Sequence, residues 1–250
     1  VWYDKIDMQR YVDRSADPQV MKALRKRVEK RLEVERRKTV PDHLYPKLVS
    51  EEGVQPRIKD EPPLIFHPSA DMAPGMTTGY AKAFAAYRES LPEHTRTLFD
   101  RFHFFDLAAK VVGVGSVGTF CTIGLFMAAD DDPLFLQIKE ARASVLEPYA
   151  GKSRHANHGQ RVVVGQRLMQ TASDVFLGWV TGPGGSHYYW RQLWDAKFSL
   201  DLERMQRPGL QAYARACGWT LARAHARSGS AVAISAYLGT GSRFERAMLD

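Results

Sequence analysis

Three glycines and one lysine carry the most suggestive chemistry in this chain. Gly113, Gly115 and Gly118 fit the pattern G-x-G-x-x-G, and Lys139 closes an apolar run downstream of them. A glycine turn lets backbone N–H groups approach phosphate oxygens, because no side chain stands between them. A lysine fixed on a strand sets a point charge on the same phosphates. The residues immediately after Gly118 separate two phosphate-binding arrangements. A dinucleotide fold needs a helix directly after the last glycine. Here Thr119 to Phe126 is β-branched and aromatic without helical apolar spacing, so it predicts a strand. The glycines then join two strands, and a third strand ends in Ile138-Lys139. The plainer reading is a tight hairpin whose glycines only relieve backbone strain.

Other candidate groups carry less. Asp130, Asp131 and Asp132 precede Pro133, which suits a solvated hairpin tip better than a metal site. His155 and His158 make an H-x-x-H pair without a third ligand nearby in sequence, so no metal site is predicted. His43 and His67 sit among prolines with no ligand cluster and receive no role. Cys121 and Cys217 lie far apart in apolar surroundings, the pattern of a reduced, cytoplasmic protein rather than a disulfide scaffold.

Patterning supplies the elements that must position these residues. Residues 18 to 38 read as a helix with a narrow stripe of Val20, Leu24, Val28 and Leu32. Nine Lys and Arg face three Glu over residues 22 to 38, which accounts for most of the net charge of +7. The basic balance is thus local, and nucleic-acid binding through this one helix, without interleaved aromatics, ranks last among the readings. Residues 41 to 75 hold seven of the thirteen prolines and read as an irregular connector or extended arm. A helix is predicted at 77 to 91, with Tyr80, Phe84, Tyr87 and Leu91 on one face, and a shorter helical piece from Pro92 to Phe102. Strands come next at about 107 to 113, 119 to 127 and 134 to 140, antiparallel because their links are short. Glu140 to Pro148 is helix-prone, and 156 to 172 is a clear helix. A hairpin of strands at 174 to 181 and 188 to 195 turns through Gly182 to Ser186. A helix from Pro208 to about Ala226 closes at Ser228-Gly229. No apolar run reaches the ~18 residues of a membrane span. No secretory signal opens the chain, and Val1 reads as mid-domain, with a further segment expected upstream.

The order strand, glycine turn, strand, strand with lysine, helix, strand, strand, linker, helix is that of a protein-kinase-like small lobe and the first helix of its large lobe. The expected fold class is α+β, with an antiparallel five-stranded small lobe and its helix at 106–195. Helical and Pro-rich residues 1–105 would belong to or pack on the large lobe, which resumes at 196–250. Five runs, at 110–119, 132–141, 165–170, 173–179 and 218–229, resemble the bacterial family known as domain of unknown function 2252. The likeness is weakest over residues 13 to 100. That family resembles kinase-like phosphotransferases of the aminoglycoside and choline type. The resemblance implies a permuted order, with the acidic catalytic motifs upstream of the glycine turn, so no catalytic residue is assigned within this chain.

These arguments predict a nucleotide site. ATP with Mg²⁺ would lie under Gly113, Val114, Gly115, Ser116 and Gly118, with Lys139 on its phosphates. Gln192 and Leu193 would begin the hinge that meets the adenine. Glu147 is the expected partner of Lys139, because no Asp or Glu occurs between it and Asp174. The partners implied are a nucleotide, a phosphate acceptor of unknown identity and the upstream segment of the same protein, with no membrane. The competing expectation is a non-catalytic, pseudokinase-like or nucleotide-sensing interaction module.

Overall fold

The computed structural model describes residues 44–50, 55–68, 76–113, 118–129, 132–193, 202–203 and 205–249. The expected basic helix at 18 to 38, His43, Val114, Gly115 and Ser116 lie outside them. The described residues fall into two compact units: those within 33–164 and 173–198, and those within 165–172 and 199–250.

The first unit begins with a short helix, α1 (Tyr45–Leu48), and a two-residue ladder of β1 (Val49–Ser50) with β2 (Arg57–Ile58). A strand β3 (Ile65–Phe66) and two helices, α2 (Met76–Ser90) and α3 (Glu93–Phe99), come next. They lead into β4 (His103–Lys110), β5 (Cys121–Met127), β6 (Pro133–Ala141), the helical turn α4 (Glu147–Ala150) and α5 (His158–Met169), whose residues from 165 on belong to the second unit. The hairpin β7 (Gly178–Thr181) and β8 (His187–Gln192) completes the unit. The antiparallel arrangement and the meander β4 to β6 agree with expectation.

The sheet has six strands, in the order β3-β4-β5-β6-β8-β7, where five were expected. The extra one comes from the proline-rich stretch, where Ile65 and Phe66 pair with Lys110 and Ala109. Pro46, in the first turn of α1, and Pro62 and Pro63, in the turn before β3, fall where no ladder N–H is required. β6 also runs longer than predicted. Glu140 and Ala141 pair with Tyr188 and His187, and this ladder reduces the expected helix from Glu140 to Pro148 to the single turn α4.

Alternation along the strands splits the core in two. On one face Phe126, Leu134, Leu136, Ile138, Val180 and Trp190 bury against Ala83, Tyr87, Leu91 and Phe99 of α2, α3 and the turn between them. Tyr87 stacks on Trp190 at 4.2 Å between ring centres, and Phe84 meets the same indole edge-on at 5.4 Å. Gly178 permits this approach: a β-carbon there would lie 2.6 Å from Ser90 Oγ and 2.7 Å from the Tyr87 ring. Ser90 Oγ accepts the Trp179 N–H at 2.9 Å, and Tyr87 donates to the Phe176 carbonyl at 2.6 Å. Helices α2 and α3, which belong to the expected 1–105 segment, therefore pack on the sheet. On the opposite face Ala108, Ile123, Leu125, Met127 and Phe135 bury against Leu44, Leu48, Val49, Ile58 and Ile65.

The second unit contains α6 (Arg207–Ser228), α7 (Ala231–Leu238) and α8 (Arg243–Leu249). Pro208 stands in the first turn of α6, and the Gly229 N–H closes its end on the His225 carbonyl at 2.8 Å. Arg227 donates to the Met169 carbonyl at 2.9 Å and to the Thr171 hydroxyl, satisfying the open end of α5. Ser230 caps α7 by accepting from the Ala233 N–H at 3.2 Å. Among the described residues no helix is long and apolar enough to cross a membrane.

Candidate functional site

The glycine turn joins β4 to β5 at one end of the sheet. Gly118 has φ +75°, a conformation side chains rarely tolerate, so backbone geometry alone accounts for this glycine. Gly113 is different. It has no left-handed φ, and a β-carbon there would meet nothing within 4 Å. Among the described residues, then, neither a positive φ nor packing calls for glycine at that position.

Lys139 stands directly across from Cys121, the first residue of the strand after the turn, and across from Tyr189 on its other side. The register thus sets this lysine at the glycine end of the sheet. It lies on the same face as the Ala108–Phe135 core but is not part of the cluster that Leu44, Leu48, Val49 and Ile58 cover. Around it the face turns polar. Cys121, Gln137, Tyr189 and Arg191 share its side of the strands. Burial pushes the Cys121 thiol up, against the opposing pull of Lys139, and burial likewise raises the Tyr189 phenol.

Glu140 projects from the other face, as strand alternation requires. It accepts the Phe120 N–H at 2.9 Å and Arg142 Nε at 2.7 Å. The Arg142 bond is the main reason its carboxyl is held below the ordinary range. Glu147 begins α4 after the β6 ladder has ended, and its N–H donates to the Ser144 carbonyl at 3.0 Å. The next acid, Asp174, accepts the N–H groups of Phe176 (2.9 Å) and Gln192. Leu193 is 2% exposed within the core, with its N–H on the Phe135 carbonyl at 2.9 Å. The amides of Gln192 and Leu193 are therefore engaged by the fold itself. Of the residues expected to hold nucleotide, the structure brings Gly113, Gly118 and Lys139 to one end of the sheet and anchors Gln192 and Leu193 in its packing.

One cluster escaped the sequence reading. The His67 ring lies between two carboxylates, with Nδ1 2.8 Å from Asp60 Oδ1 and Nε2 3.0 Å from Asp106 Oδ2. Asp106 also accepts the N–H groups of Ile58 (2.7 Å) and Leu107 (2.8 Å). It sits where the β4–β5 register shifts, and this irregularity turns its carboxylate toward the segment carrying β2. The His67 bond holds the Asp60 carboxyl below its ordinary value. These contacts pin residues 57–67 to the sheet and make the cluster a structural clamp. No local pattern announces it, because His67 and Asp106 are 39 residues apart.

Among the described residues no three His, Cys, Asp or Glu side chains gather as a metal site. Cys121 and Cys217 are free thiols, the first buried and the second exposed. No curated protein and no solved structure matches this chain. The family described as "Uncharacterized protein conserved in bacteria (DUF2252)" matches residues 1–250, and the chain belongs to it.

Proposed function

We propose that the sheet unit binds ATP as the nucleotide-holding portion of a kinase-like phosphotransferase. The observation that carries this reading is the register Cys121–Lys139, which sets a lysine at the mouth of a glycine turn. The element order supports it too: a glycine-linked hairpin, a lysine strand, a helix and a second hairpin succeed one another as the kinase-like resemblance implies. Backbone N–H groups of the turn would meet phosphate oxygens, and Lys139 would add a point charge to them. ATP would supply the transferable phosphoryl group, with Mg²⁺ on its phosphates. The ligands of that ion, the acceptor hydroxyl and the acidic groups that orient it are assigned to no residue of this chain.

A second reading, a nucleotide-sensing module without catalysis, is favoured by one feature. Helix α5 (His158–Met169), the first long helix after the lysine strand, contains no carboxylate to meet Lys139. In active kinases a Lys–Glu ion pair of this kind must be in place.

Thermal melting of the full-length protein with millimolar ATP and Mg²⁺ tests both. A ligand at a hundred times its Kd stabilises by about 2.7 kcal/mol. The expected outcome is a rise in melting temperature that Lys139→Met removes. An unshifted wild-type melt counts against both nucleotide readings, whereas a shift without phosphoryl transfer to any acceptor supports the sensing module.

A further inference from the structure

A second cation that the sequence reading did not single out stands on the same face of the sheet as Lys139. Arg191 lies in β8 opposite Gln137, two residues along each strand from the Lys139–Tyr189 pair. The two positions are diagonal neighbours on one face, within reach of long side chains. Gln137 is 3% exposed. Its Oε1 accepts from Arg191 Nε at 3.2 Å and Nη2 at 3.1 Å, while its Nε2 lies 3.5 Å from Cys121 Sγ. A buried amide engaged at both ends holds the guanidinium in one orientation. Lys110 joins them from the end of β4, two residues past the core residue Ala108 and hence on the same face. Lys139, Lys110 and Arg191 each pull the Cys121 thiol down, against the larger effect of its burial. Two cations within reach of one another on one face can together meet an anion that carries more than one charge.

We infer that Arg191, oriented by Gln137, is a second anion-holding residue of this site, so that the site takes a chain of phosphates rather than a single one. Lys139 and Arg191 hold diagonal positions on one face, from which two long side chains can reach different phosphoryl groups of one polyphosphate. Gln137 is a positioning residue: it meets the ligand only through the guanidinium it holds. The inference rests on the phosphate reading of the glycine end, and inorganic tripolyphosphate probes it without the base.

The test is calorimetric titration of the full-length protein with ATP, AMP and inorganic tripolyphosphate, for wild type, Arg191→Met and Gln137→Leu. One charge-assisted bond corresponds to roughly a tenfold change in affinity. Arg191→Met is expected to weaken ATP and tripolyphosphate about tenfold and AMP by less than about twofold. Gln137→Leu should show the same split with a smaller loss. Arg191→Lys, which keeps the charge without the fork, serves if Arg191→Met does not fold, and is expected to weaken tripolyphosphate several-fold. Unchanged ATP and tripolyphosphate affinity in the Arg191 variants overturns the inference while leaving the ATP reading intact. Equal losses for ATP and AMP also overturn it, placing Arg191 on the base or in the fold. Wild-type binding of tripolyphosphate but of neither adenine nucleotide, with the Arg191 loss, upholds it and removes the ATP reading. No binding of any of the three removes both.

Discussion

Two ends of one sheet face obey opposite rules. At the end away from the glycine turn, Ala108, Ile123, Leu125 and Phe135 are sealed beneath Leu44, Leu48, Val49 and Ile58, and Asp106 ties that cover down by accepting the Ile58 N–H. At the glycine end the same strands present Cys121, Gln137, Lys139 and Arg191. β6 supplies both ends: Phe135 is core, and Lys139, four residues on, is not. The change lies in what covers the strand, since the helix and ladder at 44–58 seal the apolar half and leave the cations outside that cluster. Stability should therefore reside in one half and ligand binding in the other.

Substitutions can break that division. Phe135→Ala should have the largest effect on folding, a loss of about 3–5 kcal/mol in urea denaturation, because the ring is fully buried. Asp106→Ala comes next. It leaves the Ile58 and Leu107 N–H groups without their acceptor and releases His67, for about 1–3 kcal/mol in the same assay. Asp60→Asn should cost less, and its cost should depend on pH. Asp60 is held below its ordinary pKa of 3.8, first by its hydrogen bond to His67. Its contribution is therefore complete above that value and fades as pH falls through the lower folded one. The gap in melting temperature between wild type and Asp60→Asn should stay constant above about pH 5 and close below about pH 4. A gap that widens with acid contradicts the clamp. Lys139→Met should change stability least, by under about 1 kcal/mol, since it keeps the apolar stem. If Lys139→Met destabilises as much as Phe135→Ala, the two ends are not separate.

How much of this was legible depends on the range over which each signal acts. The meander, the β7–β8 hairpin and the helices of 76–90, 158–169 and 207–228 announce themselves through spacing, glycine turns and caps, all local. The glycine turn and Lys139 could be paired from sequence because the strands linking them are short. β3 could not, since seven prolines mask a two-residue strand whose partner, Lys110, lies far along the chain. His67 met neither of its carboxylates in any local pattern. Arg191 looked like one charge in an aromatic strand until the β6–β8 register set it against Gln137.

The sheet order has a consequence for how the chain assembles. β4, β5 and β6 can pair as soon as each is made, but the outer edge of β6 closes only when β8 arrives, with Ala141 meeting His187. Until then Leu136 and Ile138 lie on an unpaired edge strand. Long-range pairing of this kind slows folding and prolongs exposure of sticky intermediates. A nascent chain halted before His187 should therefore aggregate or recruit a chaperone, and release past Gln192 should end that vulnerability.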